Sequence, residues 1–125
     1  MLSVGVDLVE INRIEKSLKN PRFCKRVLGE NEYLQLMMRG FPVQSVAASF
    51  CAKEAFSKAM GTGVRGFELN EVELLREENG RPYLKLSGSA ERMAKERRLE
   101  FAVSVSHTKE YAQAVVVAEQ RGQNP

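Results

Sequence analysis

The segment 44–60 most constrains the fold of this chain, because its composition predicts one long helix. It is rich in alanine, the strongest helix former, and Gly61 follows it, where many helices end in a left-handed cap. After this helix the pattern changes to strands at 71–76 and 81–86, joined through the Asn-Gly pair at 79–80, a strong hairpin signal. A long helix combined with hairpin-connected strands predicts an α+β domain with a small, largely antiparallel sheet packed against that helix.

Shorter periodic segments complete a single predicted domain over residues 1–119. Apolar and polar residues alternate in 2–8, the period of a half-buried strand with Asp7 on its polar face. Apolar residues recur at helical spacing in 11–18, until the Asn-Pro pair at 20–21 breaks the pattern. The same analysis predicts N-terminal helices at 22–28 and 30–38, a helix at 89–97, strands at 99–106 and 111–119, and a frayed polar tail at 120–125.

Length and composition restrict the class of protein. With 125 residues, 43% of them hydrophobic and 28% charged, the chain resembles an ordinary globular domain whose small core would gain from oligomer formation. It has no run of roughly 18–20 apolar residues and no secretory signal, so we expect a cytoplasmic protein without a membrane partner. Cys24 and Cys51 lack C-x-x-C spacing, which favours reduced, buried thiols over a zinc site.

The formal net charge of +3 is unevenly distributed. Residues 13–26 hold six basic side chains against the single acid Glu15, a local charge of +5. We call this stretch the basic segment, and its basic residues are Arg13, Lys16, Lys19, Arg22, Lys25 and Arg26. A local excess of positive charge suggests an acidic partner.

The sequence F-C-A-K-E-A-F-S-K at 50–58 groups polar residues on the long helix. Helical spacing places Glu54, Ser57 and Lys58 on one face, with Lys53 beside them. One carboxylate and two ammonium groups could hold a metal ion and phosphates together. A solvated ion pair between Glu54 and Lys58 is the simpler alternative.

Three other features admit two interpretations each. Asp7 lies in an apolar strand, which suggests a metal ligand, or else a residue exposed at a strand end or capping the next helix. The Gly-Thr-Gly at 61–63 could direct N–H groups at a phosphate, or serve as a helix cap. His107 could contact a phosphate or transfer a proton, or be structural in its turn, and no nearby Asp and Ser complete a hydrolase triad.

Taken together, G-V-D at 5–7 and the motif at 50–58 resemble the two signature motifs of the phosphopantetheinyl transferase superfamily. G-T-G at 61–63, N-G-R-P-Y at 79–83 and S-H-T-K-E-Y-A at 106–112 resemble its short, single-domain branch, the holo-acyl-carrier-protein synthases. The resemblance extends over nearly the whole chain. One departure is Ser49, because some members have an arginine there that helps to hold coenzyme A.

The resemblance implies a transfer of 4′-phosphopantetheine from coenzyme A to a serine of an apo acyl carrier protein, with 3′,5′-ADP as the leaving group. Asp7 and Glu54 would bind Mg²⁺, for which Mn²⁺ could substitute because both ions prefer oxygen ligands. Lys58 and the metal would stabilise phosphoryl charge. Glu54 would accept the serine proton, either directly or through a metal-bound water.

The resemblance also implies the binding partners. The acidic carrier protein would dock on Arg13, Arg22 and Arg26 of the basic segment. Like other short members, the chain would form a homotrimer with active sites at subunit interfaces. The residues expected to bind coenzyme A are Lys53, Ser57, Lys58, Gly61, Gly63, Pro82, His107 and Thr108.

Two other functions remain open from the sequence. The basic segment could bind nucleic acid in a protein that is not an enzyme, but Phe23 is its only aromatic residue, whereas single-strand platforms stack several bases on aromatic rings. The chain could also be an inactive binder of coenzyme A or of a carrier protein. The presence of Asp7, Glu54 and Lys58 argues against this second alternative.

Overall fold

The computed structural model describes residues 1–122, and the predicted elements form in it with ends within two residues of those expected. A short 3₁₀ turn, Leu69–Glu71, precedes the hairpin. The elements are β1 (Leu2–Glu10), α1 (Ile11–Ser17), α2 (Pro21–Val27), α3 (Glu30–Met38), α4 (Val43–Met60), β2 (Val72–Arg76), β3 (Pro82–Leu86), α5 (Gly88–Glu96), β4 (Leu99–His107) and β5 (Tyr111–Gln120).

The strands form two antiparallel sheets. One has the order β1-β5-β4, and the other is the β2-β3 hairpin. Helix α4 packs against β1 and β5, and its core-facing residues Ala47, Cys51, Ala55 and Phe56 are fully buried. This arrangement confirms the predicted α+β class with a long helix on an antiparallel sheet.

Strand β1 approaches α4 unusually closely at Gly5. A Cβ atom there would lie 2.6 Å from the main-chain nitrogen of Ala59, and closer still to the carbonyl oxygen of Ala55. Such distances are well inside van der Waals contact, so only glycine fits without moving the strand or the helix. On the same face, the Ser3 hydroxyl donates to the Ala59 carbonyl at 2.5 Å.

The burial of the two faces of β1 is the reverse of that expected for a half-buried strand, because its apolar face is the exposed one. Gly5 and Val9 are buried against α4 on the polar side of the alternation, because the close approach of the helix favours small side chains there. Val115 and Val117 of β5 pair with β1 and are themselves only half-buried. The apolar side chains of β1 are exposed: Leu2 66%, Val4 62%, Val6 47% and Leu8 61%.

A buried ion pair joins α3, α4 and β2. Lys53 is 0% exposed, and its Nζ lies 2.6 Å from Oε1 of Glu32 and donates to the Val72 carbonyl. Glu32 also accepts from the main-chain N–H of Leu74 at 2.9 Å, while Glu73 accepts from the N–H of Glu32 at 2.7 Å. Burial lowers the pKa of Lys53, and Glu32 opposes that effect.

The predicted polar tail begins later than expected. Gln120 is the last residue of β5, and its N–H donates to the Met1 carbonyl at 3.0 Å. The N–H of Arg121 donates to the Arg98 carbonyl at 2.9 Å. The remainder of the predicted tail, 123–125, lies outside the described residues, and over 1–122 no helix has the length and apolar character needed to cross a membrane.

Replacing Lys53 should strongly destabilise the fold. We expect Lys53→Met to lower the free energy of unfolding by about 3–5 kcal/mol, because the Glu32 carboxylate would stay buried without its cation. The double variant Glu32→Gln/Lys53→Met should lose less of its free energy of unfolding, since neither side chain is then charged. Urea denaturation measures the free energy of unfolding of both variants. Lys95→Met is the control, because Lys95 belongs to an exposed i, i+4 pair with Glu91, and exposed pairs contribute little to stability. A loss for Lys53→Met as small as that of the control would contradict the assigned role.

Candidate active site

Asp7 and Lys58 form the first part of the site, at the contact between β1 and α4. Asp7 follows Gly5 by two residues and therefore points to the same face of the strand. Its side chain is 17% exposed, and the Lys58 Nζ lies 3.4 Å from its Oδ1. Lys58 also donates to the Val6 carbonyl at 2.9 Å, so this lysine bridges the helix and the strand.

Glu54 is the third member of the cluster, one helical turn before Lys58. Partial burial raises the pKa of Glu54, the nearby Asp7 carboxylate raises it further, and Lys58 opposes both effects. Two carboxylates therefore share one ammonium group, which leaves them short of positive charge. The simple Glu54–Lys58 ion pair is not the arrangement found, because Lys58 bonds to Asp7 and to the main chain of β1.

The donor chemistry of this cluster fits Mg²⁺. That ion typically takes one or two carboxylates and completes its octahedron with substrate phosphates and water. Over residues 1–122, no group of three or more His, Cys, Asp or Glu side chains forms an all-protein metal site. Cys51 lies nearby but donates to the Ala112 carbonyl at 3.4 Å, and burial followed by the Asp7 charge raises its pKa to about 12. It therefore stays a neutral thiol. Both cysteines are free, but only Cys51 is buried as predicted, since Cys24 is half-buried.

A cavity opens from the carboxylates toward the basic segment. Asp7 and Glu54 line it together with Arg13 of α1, and its apolar wall contains Phe23 and Phe50. These two rings stack with centroids 6.2 Å apart. Phe50 precedes Glu54 by four residues, so both lie on one face of α4.

The structure places the predicted carrier-docking residues on the surface near this cavity. Arg13 is exposed at its rim, and Arg22 and Arg26 are exposed on α2. None of the three forms a salt bridge with another side chain in the described part of the chain. Their charges are therefore available to a partner.

Two of the residues expected to bind coenzyme A are buried instead. Lys53 points away from the cluster into its ion pair with Glu32, so its predicted phosphate contact is wrong. Ser57 is 4% exposed and its hydroxyl donates to the Glu54 carbonyl at 2.7 Å, which leaves no surface for the predicted contact. Helical spacing alone did not predict the burial of these two side chains, because other elements pack against most sides of α4.

The other residues expected to bind coenzyme A lie at the ends of helices and strands and in the loops between them. Gly61 caps α4 with a left-handed φ of 77°, as predicted, and Gly63 has a φ of 63°. Pro82 begins β3, and His107 ends β4 with an exposed ring. The Thr108 hydroxyl accepts from the N–H of Tyr111 at 3.1 Å and so fixes the β4–β5 turn. No side-chain hydrogen bond in residues 1–122 joins these residues to the carboxylates, and their ligand contacts stay predictions.

Known proteins resemble this chain over nearly its whole length. A family model described as the 4′-phosphopantetheinyl transferase superfamily matches residues 3–116. The chain is 40% identical over 117 residues to a holo-[acyl-carrier-protein] synthase from Caldanaerobacter subterraneus subsp. tengcongensis, with 92% of each chain covered.

Two solved structures extend this comparison. A holo-[acyl-carrier-protein] synthase from Neisseria meningitidis has a TM-score of 0.88 at 31% identity, covering 94% of this chain and 98% of the other. A holo-(acyl-carrier-protein) synthase from Bacillus anthracis in complex with CoA (3′,5′-ADP) has a TM-score of 0.78 at 35% identity, covering 95% and 96%.

The crowded carboxylates should make Glu54 unfavourable for stability in the absence of metal. A pKa raised in the folded state gives stability that is present at low pH and is lost as the pH rises through that pKa. We therefore expect Glu54→Gln to raise the melting temperature at pH 7 in EDTA by about 1–4 °C, and by less at pH 4. Added Mg²⁺ should stabilise the wild type more than the variant.

Differential scanning fluorimetry measures these shifts, with Glu78→Gln as the matched control because Glu78 is exposed on the β2–β3 turn. The control should leave the melting temperature unchanged within about 1 °C at both pH values. A lower melting temperature for Glu54→Gln at pH 7 in EDTA would refute the electrostatic assignment.

Proposed function

The chain belongs to the 4′-phosphopantetheinyl transferase superfamily, and we propose that its Asp7–Glu54–Lys58 cluster is the catalytic centre for phosphopantetheine transfer. The protein is an enzyme that moves 4′-phosphopantetheine from coenzyme A to an apo acyl carrier protein. The observation that supports our assignment of the centre is the meeting of two distant motifs. Asp7 of β1 and Lys58 of α4 lie 3.4 Å apart, and Asp7 acts on the pKa of Glu54.

Asp7 and Glu54 are the residues that would hold Mg²⁺, or Mn²⁺ in its place. When bound, the ion would supply positive charge to the pyrophosphate of coenzyme A. The shortage of positive charge around the two carboxylates supports this assignment.

The protein's own groups have distinct roles in the proposed reaction. The serine oxygen of the carrier protein forms a bond to the β-phosphorus, and the bond from that phosphorus to the oxygen of 3′,5′-ADP breaks. Lys58 stabilises negative charge on the transferring group, because its ammonium is held in place by the Val6 carbonyl and the Asp7 carboxylate of β1. Glu54 accepts the serine proton, either directly or through a water, because a carboxylate beside the reacting phosphate can act as a general base.

An acidic carrier protein would dock on the basic segment. Arg13 lies at the rim of the cavity that reaches Asp7 and Glu54, so a carrier held there would place its serine near the cluster. Arg22 and Arg26 would add complementary charge, which increases the rate of encounter and weakens with salt. We further propose that the enzyme acts in the cytoplasm and serves lipid synthesis.

The exposed apolar face of β1 and β5 supports a homotrimer. Val4 pairs with Val117 and Val6 pairs with Val115, so these side chains form a continuous patch. A patch of this kind on a small domain is typical of a surface that another protein covers. Three copies joined through it would enlarge the small core of each chain and place the active sites at subunit interfaces.

The transfer can be tested by intact-protein mass spectrometry of an apo acyl carrier protein incubated with this protein, coenzyme A and Mg²⁺. We expect the carrier to gain one phosphopantetheine, with no gain in EDTA. Asp7→Asn and Glu54→Gln should each slow the transfer by about 100-fold or more, because each removes a proposed metal ligand. Glu78→Gln is the control, and full activity of either site variant would rule out our assignment of the metal ligands.

The assembly can be tested by light scattering coupled to size-exclusion chromatography. We expect three times the chain mass of 14.1 kDa for the wild type. Val4→Glu/Val117→Glu should give monomers with little activity, because charges would be buried in the interface. Met38→Glu is the control, since Met38 is 88% exposed on α3, away from the patch. A monomeric wild type that is fully active would disprove the trimer.

A further inference from the structure

The last turn of α4 carries one of the proposed catalytic side chains. The helix ends at Met60, and Lys58 lies two residues before that end. The last carbonyls of a helix have no partners within the helix, so its final turn opens easily unless other groups bond to them. If this turn opened, the Lys58 ammonium would lose its contacts with the Val6 carbonyl and with Asp7. The position of Lys58 therefore depends on what holds the end of α4.

Two side chains from outside α4 bond to its last carbonyls, in addition to the N–H of its glycine cap. The Ser3 hydroxyl of β1 donates to the Ala59 carbonyl. The Arg97 guanidinium, from the end of α5, donates to the Met60 carbonyl at 2.8 Å. Of these groups, only the Arg97 guanidinium carries a charge.

The main chain of Arg97 is itself held by two elements. Arg97 is the C-cap of α5, and its N–H donates to the Met93 carbonyl at 3.2 Å. Its own carbonyl accepts from the Gln120 side chain of β5 at 3.2 Å. The guanidinium also lies 3.8 Å from Sδ of Met60. Arg97 therefore links α5 and β5 to the end of α4.

No acid of the described chain takes up the charge of Arg97. Over residues 1–122, no carboxylate oxygen lies within 4.0 Å of its guanidinium. The C-terminal end of a helix carries partial negative charge, which a cation stabilises and which repels a phosphate. A guanidinium on the Met60 carbonyl therefore stabilises the last turn and offsets its negative charge, two residues from the Lys58 that is proposed to meet a polyphosphate.

We propose that Arg97 is a positioning residue for the transfer, because it keeps the last turn of α4 intact and so holds the Lys58 ammonium against β1. This role rests on the proposed function of Lys58. In the described part of the chain, no side-chain hydrogen bond or salt bridge joins Arg97 to Asp7, Glu54 or Lys58. Its effect on the reaction therefore passes through the main chain of α4.

Steady-state transfer assays, at a temperature where every variant is folded, test this role. Arg97→Met should lower kcat about fivefold, because a less firmly held Lys58 stabilises less charge in the transition state. Arg97→Lys keeps a cation and a donor, so its kcat should stay within about twofold of the wild type. Arg98→Met is the matched control, because it removes the same charge from the exposed neighbouring residue.

A double-variant cycle separates positioning from a general loss of stability. In a Lys58→Met background, Arg97→Met should change kcat by less than about twofold, because the group that Arg97 positions is gone. A full fivefold loss in that background would overturn the role, because Arg97 would then act independently of Lys58. An unchanged kcat for Arg97→Met with Lys58 present would overturn it as well.

Amide hydrogen exchange provides a second arm that needs no turnover. The N–H of Gly61 donates to the Lys58 carbonyl at 3.0 Å, so its exchange rate reports opening of the last turn. Arg97→Met should speed this exchange about fivefold or more, whereas Arg97→Lys and Arg98→Met should leave it near the wild-type rate. Unchanged exchange in Arg97→Met overturns the proposal. A wild type that transfers nothing refutes the proposed function instead, and exchange then decides by itself whether Arg97 holds the turn.

Discussion

The buried pair of Lys53 and Glu32 is the interaction on which the rest of the structure depends. A charged lysine without solvent exposure is tolerated only where a carboxylate and a carbonyl replace its water, and here both come from other elements. The pair therefore fixes the rotation of α4 about its own axis relative to α3 and β2. Glu54 is the next residue on α4, so the rotation that buries Lys53 also turns Glu54 toward β1.

The catalytic cluster uses charge in the opposite way. Around Lys53 the charges are balanced, whereas Asp7 and Glu54 lie near each other beside one cation, Lys58, and remain partly accessible. A site of this kind is poorly optimised for folding and well suited to a cation and a polyphosphate. The two neighbouring residues of the K-E dipeptide thus separate into one structural and one chemical role.

Local sequence patterns predicted the elements well, and they predicted the environment of the side chains less well. The alanine-rich helix, its Gly61 cap and the hairpin at Asn79-Gly80 follow from short-range rules, and all three are present. The motif resemblance identified Asp7, Glu54 and Lys58, which the fold brings together. The exposed face of β1 and the burial of Lys53 depend on which neighbour packs closest, and no periodicity within one segment contains that information.

The contact at Gly5 has a consequence for how the enzyme responds to its surroundings. Main-chain atoms of β1 and α4 touch there directly, and a backbone contact has no rotamers through which to relax. The spacing between the strand that holds Asp7 and the helix that holds Glu54 is thus a stiff, nearly incompressible length. A change elsewhere in the molecule can alter the gap between the two carboxylates only by moving one main chain against the other.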